Sequence, residues 1–267
     1  MAASDFATAC GSHDVLVIGS YNIHGCVGAD KRYDVERIAG VIRELDCDTV
    51  GLQEVDGRPG VQSASMQLQE LADTTGMTPI AAGTHTVTPS RFRKTNALLT
   101  FREVQSVRSY DLTFGSHEPR SALDVELLVE GQAVRVIVTH LGLSARERRY
   151  QVEKLLAAVN DIPARRPVVL LGDINEWLPV GRPLRRLHGA LGKAPSGRSF
   201  PVWAPLLALD RIWSRQPGFV RTFAVHMSPA ARVASDHYPV KANVARLNSW
   251  EFDPGRNRRS RSRGARE

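Results

Sequence analysis

The sequence of 267 residues is long enough to bury one sizeable core, and layered α/β chains of this length commonly form one domain. Its hydrophobic content of 42% and charged content of 24% are ordinary for a soluble globular protein. The net charge of +7 favours an anionic partner. Because much of that charge lies in Arg256–Arg263, it fits nucleic acid and an anionic membrane surface equally well.

The cysteines and the N-terminus exclude several other classes. Cys10, Cys26 and Cys47 have no CxxC spacing, which argues against a disulfide framework and for a reducing compartment. Met1–Asp14 has neither a basic nor an apolar region, and Val15–Ile18 is only as long as a strand. We therefore expect a cytoplasmic monomer without a signal peptide or a transmembrane segment.

Apolar runs of strand length recur along the chain, and most of them adjoin a polar or charged side chain. In chain order these are Val15–Ile18 before Asn22, Thr49–Leu52 before Glu54, Ala133–Val138 before His140, Val168–Leu171 before Asp173, Leu207–Trp213 around Asp210, and Tyr238–Val244 after His237. Further strands, punctuated by Gly and Pro, are predicted within Ala97–Leu128.

Helical periodicity lies between these runs, over Asp34–Leu45, Ser63–Thr74 and Ser144–Val159. Ser144 is a credible N-cap because Glu147 follows it by three residues. The polar segment Gly181–Ser199 is expected to be a loop with a short helix. Strands with helices between them predict a layered α/β or α+β sandwich, whose loops gather a site along one rim.

The chain is expected to divide into three parts. Residues 1–14 form an N-terminal extension, 15–247 a single folded domain, and 248–267 a basic, disordered tail. The tail offers peripheral contact with nucleic acid or an anionic membrane.

Hard oxygen donors dominate the polar side chains that follow the strands. No Cys₂His₂ or HExxH spacing accompanies them, so Mg²⁺ or Mn²⁺ is favoured over Zn²⁺. Glu54 is the best candidate ligand, and Asp236 and Asn22 are supporting ligands, directly or through water. Each residue alone is a weak signal, since an Asp after a strand is more often a turn residue.

Six short motifs follow one another along the chain. They are Ser20–His24, Leu52–Val55, Thr139–Leu141, Gly172–Asn175, Leu209–Ile212 and Ser235–His237. Together they span about residues 15–247 and resemble the endonuclease/exonuclease/phosphatase superfamily. They look like the branch that holds DNase I, neutral sphingomyelinases and many uncharacterised bacterial metal-dependent hydrolases.

The resemblance implies a DNase I-like, four-layer α/β/β/α sandwich with its site at one rim. It implies that Asp173 is the base for the attacking water and that Asn175 positions the water or the phosphate. It also implies that His237, held by Asp210, donates to a phosphate oxygen, with His140 as a second imidazole. Metal binding by Glu54, Asn22 and Asp236 completes the implied site.

Three further residues are candidates for substrate binding. Asn96 precedes an apolar strand, Arg120 is placed to reach a phosphate, and Trp177 is placed to line the mouth of the site. Each has a plain structural explanation as well, as a turn residue, a solvated cation or a packing aromatic. His24 is interpreted as structural support for its motif.

The substrate class stays open between nucleic acid and a phospholipid. A nuclease would use Arg91, Arg93, Lys94 and Arg120 against phosphates, whereas a lipid enzyme would use Trp177–Leu178 and Trp203–Leu206 as an apolar lip. The sequence departs from the abasic-site endonucleases of the superfamily that it resembles, which tend to place a threonine and a lysine around the glutamate matching Glu54, and this argues against repair of abasic DNA. The alternative from another class is a catalytically silent binding module with the same fold.

Overall fold

The computed structural model describes residues 16–56, 64–81 and 94–245. The predicted extension 1–14 and tail 248–267 lie outside these residues, as do Arg91 and Arg93. The predicted limits of the folded domain at residues 15 and 247 remain a prediction.

The described residues form eleven strands and five helices. The strands are β1 (Leu16–Asn22), β2 (Thr49–Asp56), β3 (Thr78–Ala81), β4 (Lys94–Thr100), β5 (Glu103–Asp111), β6 (Ser121–Val129), β7 (Gln132–His140), β8 (Val168–Asp173), β9 (Asp210–Ser214), β10 (Val220–Val225) and β11 (Val240–Val244). The helices are α1 (Val35–Leu45), α2 (Ala64–Thr75), α3 (Ala145–Asn160), α4 (Arg182–Leu191) and α5 (Ala231–Ala234). A short turn, His24–Cys26, follows β1.

The strands form two sheets. The first sheet has the order β10-β11-β1-β2-β4-β3, and the second has the order β5-β6-β7-β8-β9. Within these two sheets, β1–β2 and β7–β8 pair in parallel, and the other neighbouring strands pair antiparallel. The carboxyl ends of β1, β2, β7 and β8 therefore provide the loops of one rim.

Three apolar cores separate four layers. One core packs α1 and α2 on the first sheet, a second lies between the sheets, and a third packs α3 and α4 on the second sheet. The positions of the β8 side chains explain why the run Val168–Leu171 is apolar throughout. Val168 and Leu170 belong to the third core, whereas Val169 and Leu171 belong to the core between the sheets. The predicted α/β/β/α sandwich is confirmed.

The helix boundaries follow local chemistry. The Asp34 side chain accepts a hydrogen bond from the Arg37 N–H and starts α1. The Ser144 hydroxyl accepts one from the Glu147 N–H at 3.1 Å and starts α3, as the sequence predicts. No described helix is long and apolar enough to cross a membrane.

Some elements differ from their predicted extent. Helix α4 occupies ten residues of the segment predicted to be mostly loop, because Leu184, Leu187 and Leu191 form a buried stripe beneath arginines. Strand β9 begins at Asp210 rather than Leu207, and β11 begins at Val240 rather than Tyr238. Strands β3 and β10, which are short and partly exposed, were not predicted.

Candidate active site

Strand pairing brings the polar side chains of the rim together. His140 ends β7, Asp173 ends β8 and Asp210 begins β9, and these three residues are direct partners across neighbouring strands. Asn22 ends β1 in the other sheet, and its side-chain amide donates to Asp173 Oδ2 at 3.1 Å. The site therefore lies where the two sheets meet.

Asp173 lies at the centre of this group. Its Oδ2 is 3.6 Å from His140 Nε2 and 3.7 Å from His237 Nε2, and its Oδ1 accepts the Asn175 N–H at 2.9 Å. Burial raises the pKa of Asp173 to about 6, an effect that nearby His237 opposes and Asp210 reinforces. A carboxylate with such a pKa can both take up and release a proton near neutral pH.

A second carboxylate fixes His237. Asp210 Oδ2 lies 2.9 Å from His237 Nδ1 and also accepts the Ser199 hydroxyl at 2.6 Å. The Phe200 ring packs on the imidazole at a centroid distance of 4.6 Å. Burial lowers the pKa of His237, but Asp210 and Asp173 outweigh it and raise that pKa to about 10. His237 is therefore held as an imidazolium.

Arg120 orients the other imidazole. Its Nη1 is 3.2 Å from His140 Nδ1, and its Nη2 donates to Glu118 Oε2 at 2.9 Å. A guanidinium only donates, so Nδ1 of His140 is the acceptor in this contact. Asn175 Nδ2 lies 3.0 Å from that Nε2 and donates to the Leu141 carbonyl at 2.8 Å.

The Gly172–Asn175 turn requires two unusual backbone conformations. Gly172 has φ 142°, and an added Cβ would lie 1.8 Å from the Thr139 carbonyl oxygen, so only glycine fits. Asn175 has φ 52°, in the left-handed region that asparagine tolerates best among larger residues. The turn thereby brings Asn175 beside Asp173 and His140.

A bulge in β2 presents Glu54. Leu52 pairs with Ala97 and Val55 pairs with Thr95, so that Gln53 and Glu54 together face Asn96. Glu54 has φ 60° at this bulge. A bulge of this kind re-aims a side chain out of the regular alternation, and here it lies at the rim.

Two carboxylates meet at the imidazole of His24, whose backbone N–H donates to Asn22, the residue that also donates to Asp173. His24 Nδ1 is 3.4 Å from Glu54 Oε2 and 3.6 Å from Asp236 Oδ1. The Ser235 hydroxyl donates to the Asn22 carbonyl at 2.7 Å and so holds the segment that precedes β11 against β1. Sequence reasoning interpreted His24 as support only, and no periodicity or spacing in the sequence indicates this contact.

The donor chemistry of this second group fits a hydrated divalent cation. Glu54 and Asp236 provide carboxylate oxygens, and the Asp236 side chain is 39% exposed, which leaves room for water and substrate oxygens. Asp173, Asp210 and His237 also have ligand atoms within 4.8 Å of one another. These three residues are buried. Two of their ligand atoms are already engaged with each other, because Asp210 Oδ2 pairs with His237 Nδ1.

The remaining substrate-binding candidates occupy different surroundings. Asn96 is buried, and its side-chain amide donates to the Ser121 carbonyl at 2.7 Å, beside the bulge of β2. Trp177 is exposed in the loop after β8. A role in substrate binding remains a prediction for Asn96, Arg120 and Trp177. Ser199 and Phe200, which contact the His237 group, were not proposed for any of these roles from sequence.

The chain belongs to the endonuclease/exonuclease/phosphatase family, whose model matches residues 19–237. Members of this family are hydrolases that act on phosphoester bonds, and the family includes phosphatases and nucleases. These enzymes typically use divalent metals. The family predicted from the motifs is confirmed.

Similar proteins share nearly the full length of the described fold. An uncharacterised protein of Escherichia coli K12, YbhP, is 30% identical over 254 residues, which cover 87% of this chain and 96% of that protein. A family member from Bacteroides vulgatus has a TM-score of 0.72 at 17% identity, covering 86% of this chain and 98% of its own. A mannosyl-6-phosphatase of Bacteroides thetaiotaomicron has a TM-score of 0.70 at 16% identity, with 86% and 99% covered. The likeness to these solved structures shows the fold alone.

Proposed function

We propose that this protein is a divalent-metal-dependent phosphodiesterase. The observation that carries the proposal is the surroundings of Asp173 Oδ2, which is approached by an amide and two imidazoles. A base beside an imidazolium and a second imidazole is suited to hydrolysis of an anionic ester.

Asp173 orients a water molecule and takes its proton as the water oxygen attacks phosphorus. His237 donates from Nε2 to a non-bridging phosphate oxygen, while Asp210 holds the opposite ring nitrogen at 2.9 Å. His140 acts as a second imidazole at the phosphate or the leaving oxygen, and Asn175 positions the water or the phosphate. The bond from phosphorus to the leaving oxygen breaks, giving an alcohol and a phosphomonoester.

Glu54 and Asp236 would hold the metal, supported by Asn22. When bound, Mg²⁺ or Mn²⁺ supplies positive charge that neutralises the developing charge on the phosphoryl oxygens. The Asn22 side-chain amide also donates to Asp173, so this residue would connect the metal with the base.

A silent binding module is the weaker alternative, because every acid, amide and imidazole of the motif set is present and most of them contact one another. For the substrate, the family supports a phosphoester, and nucleic acid or a phospholipid headgroup carries the diester required here. A cytoplasmic location and a monomeric state remain predictions.

Hydrolysis of bis(p-nitrophenyl) phosphate tests the reaction without choosing a natural substrate. We expect no activity in EDTA and restored activity with Mg²⁺ or Mn²⁺. Asp173→Asn and His237→Ala should each lower turnover by about 10²-fold or more. Asp161→Asn is the matched control, since Asp161 is exposed at the end of α3 away from the rim.

Losses below tenfold in both variants would contradict the assigned roles. If the wild type were inactive with either metal, a calorimetric metal titration would still compare it with Glu54→Gln. Weaker metal binding in Glu54→Gln alone would retain the metal site and point to a narrow substrate, whereas equal binding would contradict the site itself.

A further inference from the structure

Bulky apolar side chains are exposed in two loops that leave the active-site rim. Leu143 follows β7, and Trp177, Leu178 and Val180 follow β8, each 60–74% exposed. A scattered apolar residue on a surface needs no explanation, but four residues in two adjoining loops form a patch. Trp177 is only four residues from Asp173, so the patch adjoins the proposed catalytic group.

A single buried arginine fastens the two loops together. Arg148 of α3 donates to the carbonyls of Gly142 and Leu143, at 3.2 and 2.5 Å, and to Glu176 Oε2 at 3.2 Å. The same Glu176 side chain accepts the Leu178 N–H at 3.1 Å. The backbone beneath the patch is therefore fixed, and the apolar side chains are held out towards solvent.

An arginine-lined cavity of about 440 Å³ lies beside the patch, between α3 and α4. Arg186 is paired with Glu153 at 2.7 Å. Arg149, Arg182 and Arg185 also line the cavity, and none of them has an ion pair within the described chain. Arg182 follows Val180 by two residues, and Arg149 lies in the second turn of α3, so these charges flank the loops.

We propose that this surface docks on an anionic phospholipid bilayer. The four apolar side chains enter the interface, and the cavity holds a lipid phosphate between Arg149, Arg182 and Arg185. A nucleic-acid surface would need side chains that stack on bases, which Leu and Val cannot do. These side chains would stay in water beside the phosphates and would add nothing to the affinity. Docking needs no reaction, whereas its use in presenting a lipid phosphodiester to Asp173 rests on the proposed function.

Vesicle flotation in EDTA tests docking separately from activity. The full-length protein is mixed with vesicles of phosphatidylcholine alone, or of equal parts phosphatidylcholine and phosphatidylglycerol. We expect binding to the anionic vesicles, at least tenfold weaker for Leu143→Ser/Leu178→Ser. Replacing Arg149, Arg182 and Arg185 of the cavity with Gln should weaken binding about a hundredfold, since each contributes about fivefold near an anionic surface.

Two matched controls separate this surface from general stickiness and net charge. Phe101→Ser removes an equally exposed apolar residue at the opposite rim. Arg165→Gln/Lys193→Gln/Arg221→Gln removes three exposed charges remote from the patch. Both controls should bind as the wild type does, and deletion of residues 248–267 should leave the effects of the patch variants unchanged.

Equal losses in the patch and control variants, or no binding of the wild type to anionic vesicles, would overturn the proposal. Loss of DNA binding rather than vesicle binding in the cavity variant would identify a nucleic-acid surface and also overturn it. Hydrolysis of the soluble ester is measured in parallel in the wild type. Wild-type hydrolysis without vesicle binding would refute docking on the bilayer alone, while vesicle binding without metal-restored hydrolysis would refute the proposed function alone.

Discussion

Replacing Arg148 with methionine should lower the free energy of unfolding more than the same replacement of any exposed arginine among the described residues. Arg148 and Glu176 are both buried, and the guanidinium donates to two loop carbonyls as well as to the carboxylate. The Arg148→Met variant leaves the Glu176 carboxylate buried with the Leu178 N–H as its remaining hydrogen bond. The buried, uncompensated charge is the source of the cost.

Removing one partner of a buried ion pair costs about 3–5 kcal/mol. For a domain of this size, about 2–4 °C of melting temperature is lost per kcal/mol, so a fall of about 6–20 °C is expected. Urea denaturation followed by circular dichroism measures the free energy of unfolding, and thermal melts give the second value.

The chain offers both a control and a rescue for this experiment. Arg186→Met breaks an ion pair with Glu153 whose two side chains are 61% and 57% exposed, and it should cost at most about 1 kcal/mol. Arg148→Met/Glu176→Leu removes both charges and should recover more than half of the loss. A cost for Arg148→Met no larger than that for Arg186→Met would refute the reasoning.

Three other changes have expected outcomes. Gly51→Ala should cost about 1–3 kcal/mol in urea denaturation, because its Cβ would lie 2.3 Å from Leu171 Cδ1 between the sheets; an unchanged midpoint would contradict this. Asp210→Asn removes a charge that raises the pKa of His237, so in metal-free protein that pKa should fall from about 10, and deprotonation should occur at lower pH by NMR titration. In the wild type, the stability that His237 contributes is fully present below its ordinary pKa of about 6.5 and disappears as the pH rises through about 10; an unshifted titration in the variant would be the contrary result. Glu54→Gln should weaken Mn²⁺ binding at least tenfold in calorimetry, whereas equal affinity would place the metal elsewhere.

The rim could be predicted from sequence because each strand ends in a recognisable way. The apolar run of β8 followed by Asp173 shows both the buried strand and the side chain that begins the loop, and Ser144 marks the start of α3. Parallel pairing then brings such ends to one side of a sheet. These signals depend only on residues that are neighbours in the sequence, so they can be recognised without the structure.

The features that escaped prediction depend on partners distant in sequence. The bulge that turns Glu54 towards the rim is defined by the pairing of β2 with β4. The left-handed backbone at position 54 is not marked in the sequence by a glycine. Only a short helix was predicted within the segment that holds α4, because arginines mask the narrow buried stripe of this ten-residue helix. The position of His24 between two carboxylates requires residues separated by more than 200 positions to meet.

The division of the catalytic group between the two sheets has a consequence for folding kinetics. Asn22 and Glu54 are carried by one sheet, and His140 and Asp173 by the other, so neither sheet alone contains a complete reaction centre. Docking of the sheets joins segments far apart in sequence and is expected to follow the formation of local structure. During refolding, recovery of secondary structure should precede recovery of hydrolysis, and the interval between them would time the closure of the core between the sheets.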